Sequence, residues 1–258
     1  MAEVNLDKVI SKLKEYSISE KLDCFVLSKG ENKKFSPLTA KQQKDLLEAA
    51  SSGSKAVFLY PKAVNNILLE NSEDRDLLVS DRALVILGLR VHSFGPTQKI
   101  EREEGPVEVN LQKLLNDFDK SIEIKYKDSF SQGPIVLNCS IPTIEYENQL
   151  LDSYMKYRSA EFENDSKTQK LISEIYILEL AKYITSVEIN DKEPIILTLK
   201  DQTIAQKIRT VESLTATLVQ KVMNFVTNVK NLENNLTTYK FEDQTIDINL
   251  DTSFFSNL

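Results

Sequence analysis

Apolar residues recur along this chain with two periods, one helical and one alternating, and the period changes several times. Leu6, Val9, Ile10 and Leu13 are spaced as one face of a helix. "LDCFVLSK" then reads as a strand, "GEN" as a turn and "KKFSPL" as a returning strand. In "SPLTAKQQKDLLEAA", Thr39 and Gln42 have the spacing of a capping box, Leu46, Leu47 and Ala50 follow on one side, and "SSGS" ends the helix. "KAVFLYP" is short, apolar and aromatic, and fits strand or helix up to Pro61. In "DRALVILGLRVHSFG", Ala83 to Leu89 is apolar on every face, as in a buried helix. Ser80 or Ser72 can cap its start, and Gly95-Pro96 stops it.

"EREEGPVEV" reads as an exposed acidic loop, with Glu101, Glu103 and Glu104 solvated rather than gathered round a cation. "SIEIKYK" alternates Ile122, Ile124 and Tyr126 with polar residues, which predicts a half-buried strand, and "GPIVLNCSIP" predicts a second. Beyond residue 142 helical spacing dominates. Leu171, Ile175, Leu178, Ala181 and Ile184 form one stripe of a helix over 163–187, beside Ile172, Tyr176, Leu180, Tyr183 and Val187. "EPIILTLKD" interrupts as a short apolar run, and Leu214, Leu218, Val222, Phe225 and Val229 line one side of a helix over 211–229. The tail alternates Tyr239 and Phe241, turns at "EDQ", and alternates Ile246, Ile248 and Leu250, as a hairpin does.

These elements predict an α+β fold: mainly helical, with short antiparallel strands near 22–37, 121–141 and 237–251, a helical second half and a C-terminal β-hairpin. A mixed lobe over 1–142 and a mainly helical lobe over 143–258 are expected, or the two as one compact unit.

Composition narrows the classes of function. Apolar residues at 41% and charged residues at 28% of 258 are ordinary for a globular chain. The net charge of −7 disfavours a general phosphate-binding surface, so no nucleic-acid partner is expected. The N-terminus lacks the pattern of a secretory signal, and no run has the length of a membrane helix, so the expected compartment is a cytosol. Cys24 and Cys139 are far apart and belong to no C-x-x-C, which predicts two buried thiols.

Candidate chemistry is sparse. A single histidine, His92, rules out His-pair zinc motifs and leaves one base for a nucleophile dyad. It falls in the last turn of the buried helix, where a structural place in the core is expected. Neither glycine-rich phosphate loop is present. Glu145 with Glu147, and Asp74 with Asp76, are carboxylate pairs by number alone. No catalytic residue, cofactor or metal is expected. The alternative is a small metal-independent hydrolase using His92 with an acidic partner.

Several stretches, in order, carry a resemblance. "FSPLTAKQQKDLLEA", "DRALVILGLRVHSFG", "CSIPTIEYENQL", "ELAKYITSVEIND", "ESLTATLVQKVMNFVTNVKNL" and "IDINLDTSFF" resemble successive landmarks of the T4-type phage baseplate protein family. The resemblance spans Phe35 to Phe255. It departs at Ile141-Pro142, where the family commonly has Tyr-Pro, and Cys24 and Cys139 cannot supply the zinc ribbon of some members.

The resemblance implies a non-enzymatic tail protein of a contractile-tailed phage: a baseplate hub subunit, or a hub and tape-measure assembly chaperone. It implies other hub proteins and the tape-measure protein as partners, with self-association left open. The expected location is the host cytoplasm during assembly, with the virion baseplate as the other station. Leu218, Val222 and Phe225 on the amphipathic helix, with Phe254 and Phe255 at the tail, are the expected partner-binding residues, with packing inside the chain's own core as the alternative.

Overall fold

A computed structural model describes residues 6–19, 21–101, 105–158, 168–241 and 244–248. The chain opens with α1 (Leu6–Ser19), followed by a hairpin of β1 (Leu22–Val26) and β2 (Glu31–Phe35), paired Leu22 to Phe35. Gly30 takes a φ of 67° in its turn, which a glycine adopts without steric cost. Cys24, Val26 and Phe35 point inward.

The capping box at α2 (Ala40–Ala50) forms as its spacing predicts: the Gln42 amide donates to Thr39 Oγ1 at 3.2 Å, and the Thr39 amide donates to Gln42 Oε1 at 3.1 Å. "KAVFLYP" resolves to helix, inside α3 (Ala56–Asn71), which runs through Pro61. The missing amide orphans the carbonyl of Val57, and that residue is half exposed, so water can take the lost place.

In α4 (Arg82–Phe94) every residue from Ala83 to Val91 is buried. Its start differs from expectation. Ser72 closes α3 and accepts from the Asp74 amide at 2.9 Å, and Ser80 Oγ is buried without a hydrogen-bond partner among the described residues, so neither caps α4. The Asp81 carboxylate organises this corner, accepting from the Ser28 amide and hydroxyl, both at 2.7 Å, and from the Leu78 amide at 2.8 Å. Three nearby donors outcompete the helix's own first turn for it. At the far end, buried Arg90 donates to the carbonyls of Gly95 (3.1 Å) and Thr97 (3.4 Å), closing the exit of the helix.

The stretch expected as an acidic loop is partly a hairpin, β3 (Thr97–Ile100) with β4 (Val107–Asn110), and then α5 (Leu111–Asp117). Val109 is fully buried there, and burial of that one side chain outweighs the local charge. Glu101 is exposed, and Glu103 and Glu104 lie outside the described residues.

The main sheet has the order β5 (Lys127–Gln132), β6 (Ile135–Ser140), β7 (Ile184–Ile189) and β8 (Ile195–Thr198), antiparallel throughout. Two predicted boundaries are corrected by it. Ile122, Ile124 and Tyr126 are half-buried in alternation but precede the ladder, which begins at Lys127. The long helix expected over 163–187 ends at Ala181, as α7 (Thr168–Ala181), and Ile184–Ile189 is a central strand. The run I-T-S-V-E-I is β-branched at four of its six positions, and sheet pairing on both sides overrides the helical spacing of Ile184 and Val187.

α6 (Ile144–Tyr157) is capped by Thr143 and lies against α3. The helix expected over 211–229 is two, α8 (Ile204–Glu212) and α9 (Ala216–Leu236), because Thr215 Oγ1 accepts from the Leu218 amide and starts the second one. β9 (Thr238–Phe241) and β10 (Gln244–Asp247) form the C-terminal hairpin, with Ile246 and Ile248 buried. The predicted α+β class is therefore observed. The largest core cluster draws Phe35, Leu68 and Ile86 together with Leu137, Tyr183 and Phe225. The sheet likewise takes two strands from each side of residue 142. Among the described residues, no helix is long and apolar enough to cross a membrane.

Candidate functional site

The most strongly charged place in the interior is a cluster on α3, α4, α6 and α7. Glu147, on α6, is buried and accepts from Arg82 Nη1 at 2.6 Å, from Asn65 Nδ2 at 2.8 Å and from Lys182 Nζ. Lys182, just past α7, also pairs with Glu179 at 2.7 Å, and Glu179 reaches Lys230 on α9 at 3.3 Å. Burial alone would raise the Glu147 carboxyl, but the charges of Arg82 and Lys182 outweigh it and hold the group well below the usual carboxylate range. Burial would likewise lower Lys182, and Glu147 and Glu179 reverse the direction. Each charge here has a partner, and a small cavity of about 40 Å³ is lined by Glu147, Glu179 and Lys182 together with Phe58, Leu150, Tyr154, Ile175 and Leu178. The arrangement clamps five helices, α3, α4, α6, α7 and α9; it holds no group poised to give or take a proton near neutral pH.

The carboxylate pairs noted by number do not assemble. Glu145 faces solvent while Glu147 is inside, and Asp74 accepts from the Asp76 amide at 2.9 Å in a local turn. A second pin joins α6 to α7, where Glu174 accepts from Arg158 Nε at 2.8 Å and from the Tyr154 hydroxyl at 3.1 Å.

His92 is exposed, which corrects its expected place in the core: the buried run of α4 ends one residue earlier, at Val91. The described cavities are lined by other residues, including a groove of about 350 Å³ along α9, between Phe225 and the chain around Ile124. Cys24 and Cys139 are buried and free, and burial, with Asp23 and Asp128 nearby, pushes both thiols up to about 12. Thiols so protonated are poor nucleophiles and poor metal ligands. Among the described residues no group of three or more His, Cys, Asp or Glu can hold a metal ion.

The expected partner-binding residues divide. Leu218, Val222 and Phe225 are 0, 1 and 4% exposed and pack in the main core, with Phe225 edge-on to Tyr183 at 6.1 Å. Their face is thus covered by the chain itself, which corrects the expectation of a docking face: the sheet and Tyr183 fill it. Phe254 and Phe255 lie outside the described residues.

What the surface offers instead is apolar and was missed. Val9, Ile10 and Leu13 on α1 are exposed, and on β8 Ile195 and Ile196 are 59 and 67% exposed. The signal for β8 is present in "EPIILTLKD", a β-branched run bounded by Pro194 and Lys200, which fits a short edge strand.

The sequence comparison decides what kind of protein presents such a surface. The family model described as T4 bacteriophage base plate protein matches residues 18–255, nearly the whole chain. The chain belongs to that family. Comparison with curated proteins and with solved structures gives no significant match. As a T4-type baseplate protein it has a structural role in a phage tail and contacts other baseplate proteins. The match includes α2, α4, the main sheet and α9, the elements that build the core.

Proposed function

We propose that this baseplate protein serves the baseplate hub of a contractile-tailed phage, as a hub subunit or as a chaperone that assembles hub and tape-measure proteins. It works by protein contacts, without catalysis or cofactor. The observation that carries the reading is the family match over residues 18–255. It is supported by a charged interior in which every member of the Glu147 cluster is paired, and by large apolar side chains left on the surface of α1 and β8. Assembly takes place in the host cytoplasm, and a hub subunit would stay in the virion baseplate.

Co-expression of the chain with the phage's other hub proteins and its tape-measure protein, followed by affinity capture, tests the contacts, and mass spectrometry of purified particles tests residence. Capture together with presence in particles identifies a hub subunit. Capture without it identifies an assembly chaperone. Capture of neither class of partner overturns the reading.

A further inference from the structure

We propose that the turn between β8 and α8, residues 199–202, is a receptor for a primary ammonium group, filled in this chain by its own Lys207. The inference goes beyond the hub-assembly reading and does not depend on it.

Lys207 stands where general physical rules disfavour a lysine. It is 3% exposed and lies four residues past Thr203, the N-cap of α8. Side chains of a helix lean toward its N-terminus, so the ammonium returns to the turn that precedes α8. That end of a helix carries partial positive charge, which opposes a cation there. Burial penalises the charge again, and Asp201 offsets that penalty only in part. Buried Lys182 is held by two carboxylates, Glu147 and Glu179. Among the described residues no carboxylate forms such an ion pair with Lys207.

Its compensation is three main-chain carbonyls. Lys207 Nζ donates to those of Gln202 at 2.6 Å and Lys200 at 2.9 Å, and to that of Leu199. An ammonium has three donors and no acceptor, so the set is complete; a neutral amine would leave one oxygen without a proton. The turn that presents these oxygens is tied down independently of the lysine. The Gln202 amide donates to the Leu199 carbonyl at 3.1 Å, and the Leu199 amide donates to the Thr185 carbonyl of β7 at 2.9 Å. At the other end Thr203 and Gln206 close a capping box. Carbonyl dipoles converging on one point replace the hydration shell of a cation. The frame thus forms a cation site in its own right, and the Lys207 stem delivers the cation to it.

Cutting the stem back tests this. Lys207→Ala should lower the melting temperature by about 4–8 °C, the shift expected for buried acceptors left without donors. Propylammonium chloride replaces the carbons and nitrogen that the substitution removes. It should raise the variant by at least about 3 °C over an equal concentration of tetramethylammonium chloride, which has the charge but no N–H. The wild type, whose site is filled, should melt alike in both salts, and so should Lys207→Met, whose stem still occupies the path. Equal melting of Lys207→Ala in the two salts overturns the proposal, as does a propylammonium response shared by the wild type or by Lys207→Met. The wild-type chain gives a second reading that holds even if Lys207→Ala does not fold. In nitrogen NMR at neutral pH, Lys207 Nζ should appear as an ammonium whose protons exchange slowly. A neutral amine, or exchange as fast as that of the exposed Lys192, overturns the proposal. The hub reading is tested separately, by partner capture.

Discussion

Replacing Glu147 is the most demanding test of how this fold is held. Glu147→Leu removes a buried carboxylate that accepts from Arg82, Asn65 and Lys182. Lys182 keeps Glu179 at 2.7 Å, so its charge is left half paired rather than bare. Removing one partner of a buried ion pair costs about 3–5 kcal/mol, and the remaining Glu179 contact puts this case near about 3. Against total stabilities of about 5–15 kcal/mol this is a large share. In urea, with m at about 3 kcal/mol/M for a chain of this size, the unfolding midpoint should fall by about 1 M. The double variant Glu147→Leu with Lys182→Met should recover part of the loss, because the half-paired Lys182 charge goes too while Glu179 keeps Lys230 at 3.3 Å. The pH dependence has a definite sign. The folded carboxyl lies below its ordinary value near 4.5, so its contribution is full above that pH and is lost as the pH falls through the folded value. Acid should therefore destabilise the wild type more steeply than Glu147→Gln below about pH 4.5. A midpoint shift under about 0.3 M for Glu147→Leu, the size expected of an exposed pair, would refute the clamp.

Other tests are narrower. A Cβ at Gly88 would lie 3.0 Å from Cys24 Sγ, where β1 crosses α4, so Gly88→Ala should destabilise by about 1–2 kcal/mol despite its better helix propensity; adding Cys24→Ala should reverse the sign in the same urea assay. Thr39→Ala removes the cap of α2 and should cost about 1 kcal/mol; no change would mean the box is ornamental. Burial and raised pKa should keep Cys24 and Cys139 unmodified by iodoacetamide at pH 8 until urea unfolds the chain, and fast labelling of the folded protein would contradict their placement. His92→Ala, at an exposed position, should shift stability by no more than about 0.5 kcal/mol.

What could be read from the chain depended on how local the cause was. The Thr39–Gln42 box and the Gly95 stop lie within a few residues of the structure they cause, and both are found where their spacing puts them. Ile184 and Val187 satisfy helical and strand periods alike; neighbours on β6 and β8, some fifty residues before and ten after, decide for strand. Leu218, Val222 and Phe225 show the same limit at the level of function. Their stripe is plain in the sequence, but whether a stripe meets its own sheet or another protein is a tertiary fact, and here Tyr183 and the sheet take it. Glu147 could be seen only as one of many acids, since Arg82, Asn65 and Lys182 come from three other parts of the chain. The exposed edge of β8 was hidden for the opposite reason: its apolar run looks like core until the strand order places it last.

Cross-linking mass spectrometry on tail-assembly intermediates from infected cells tests the central claim most directly. The expected result is lysine cross-links between this chain and a hub or tape-measure protein, with Lys192 or Lys200, which flank β8, among them. A chain that sediments alone throughout infection, with no cross-link to any tail protein, would contradict it.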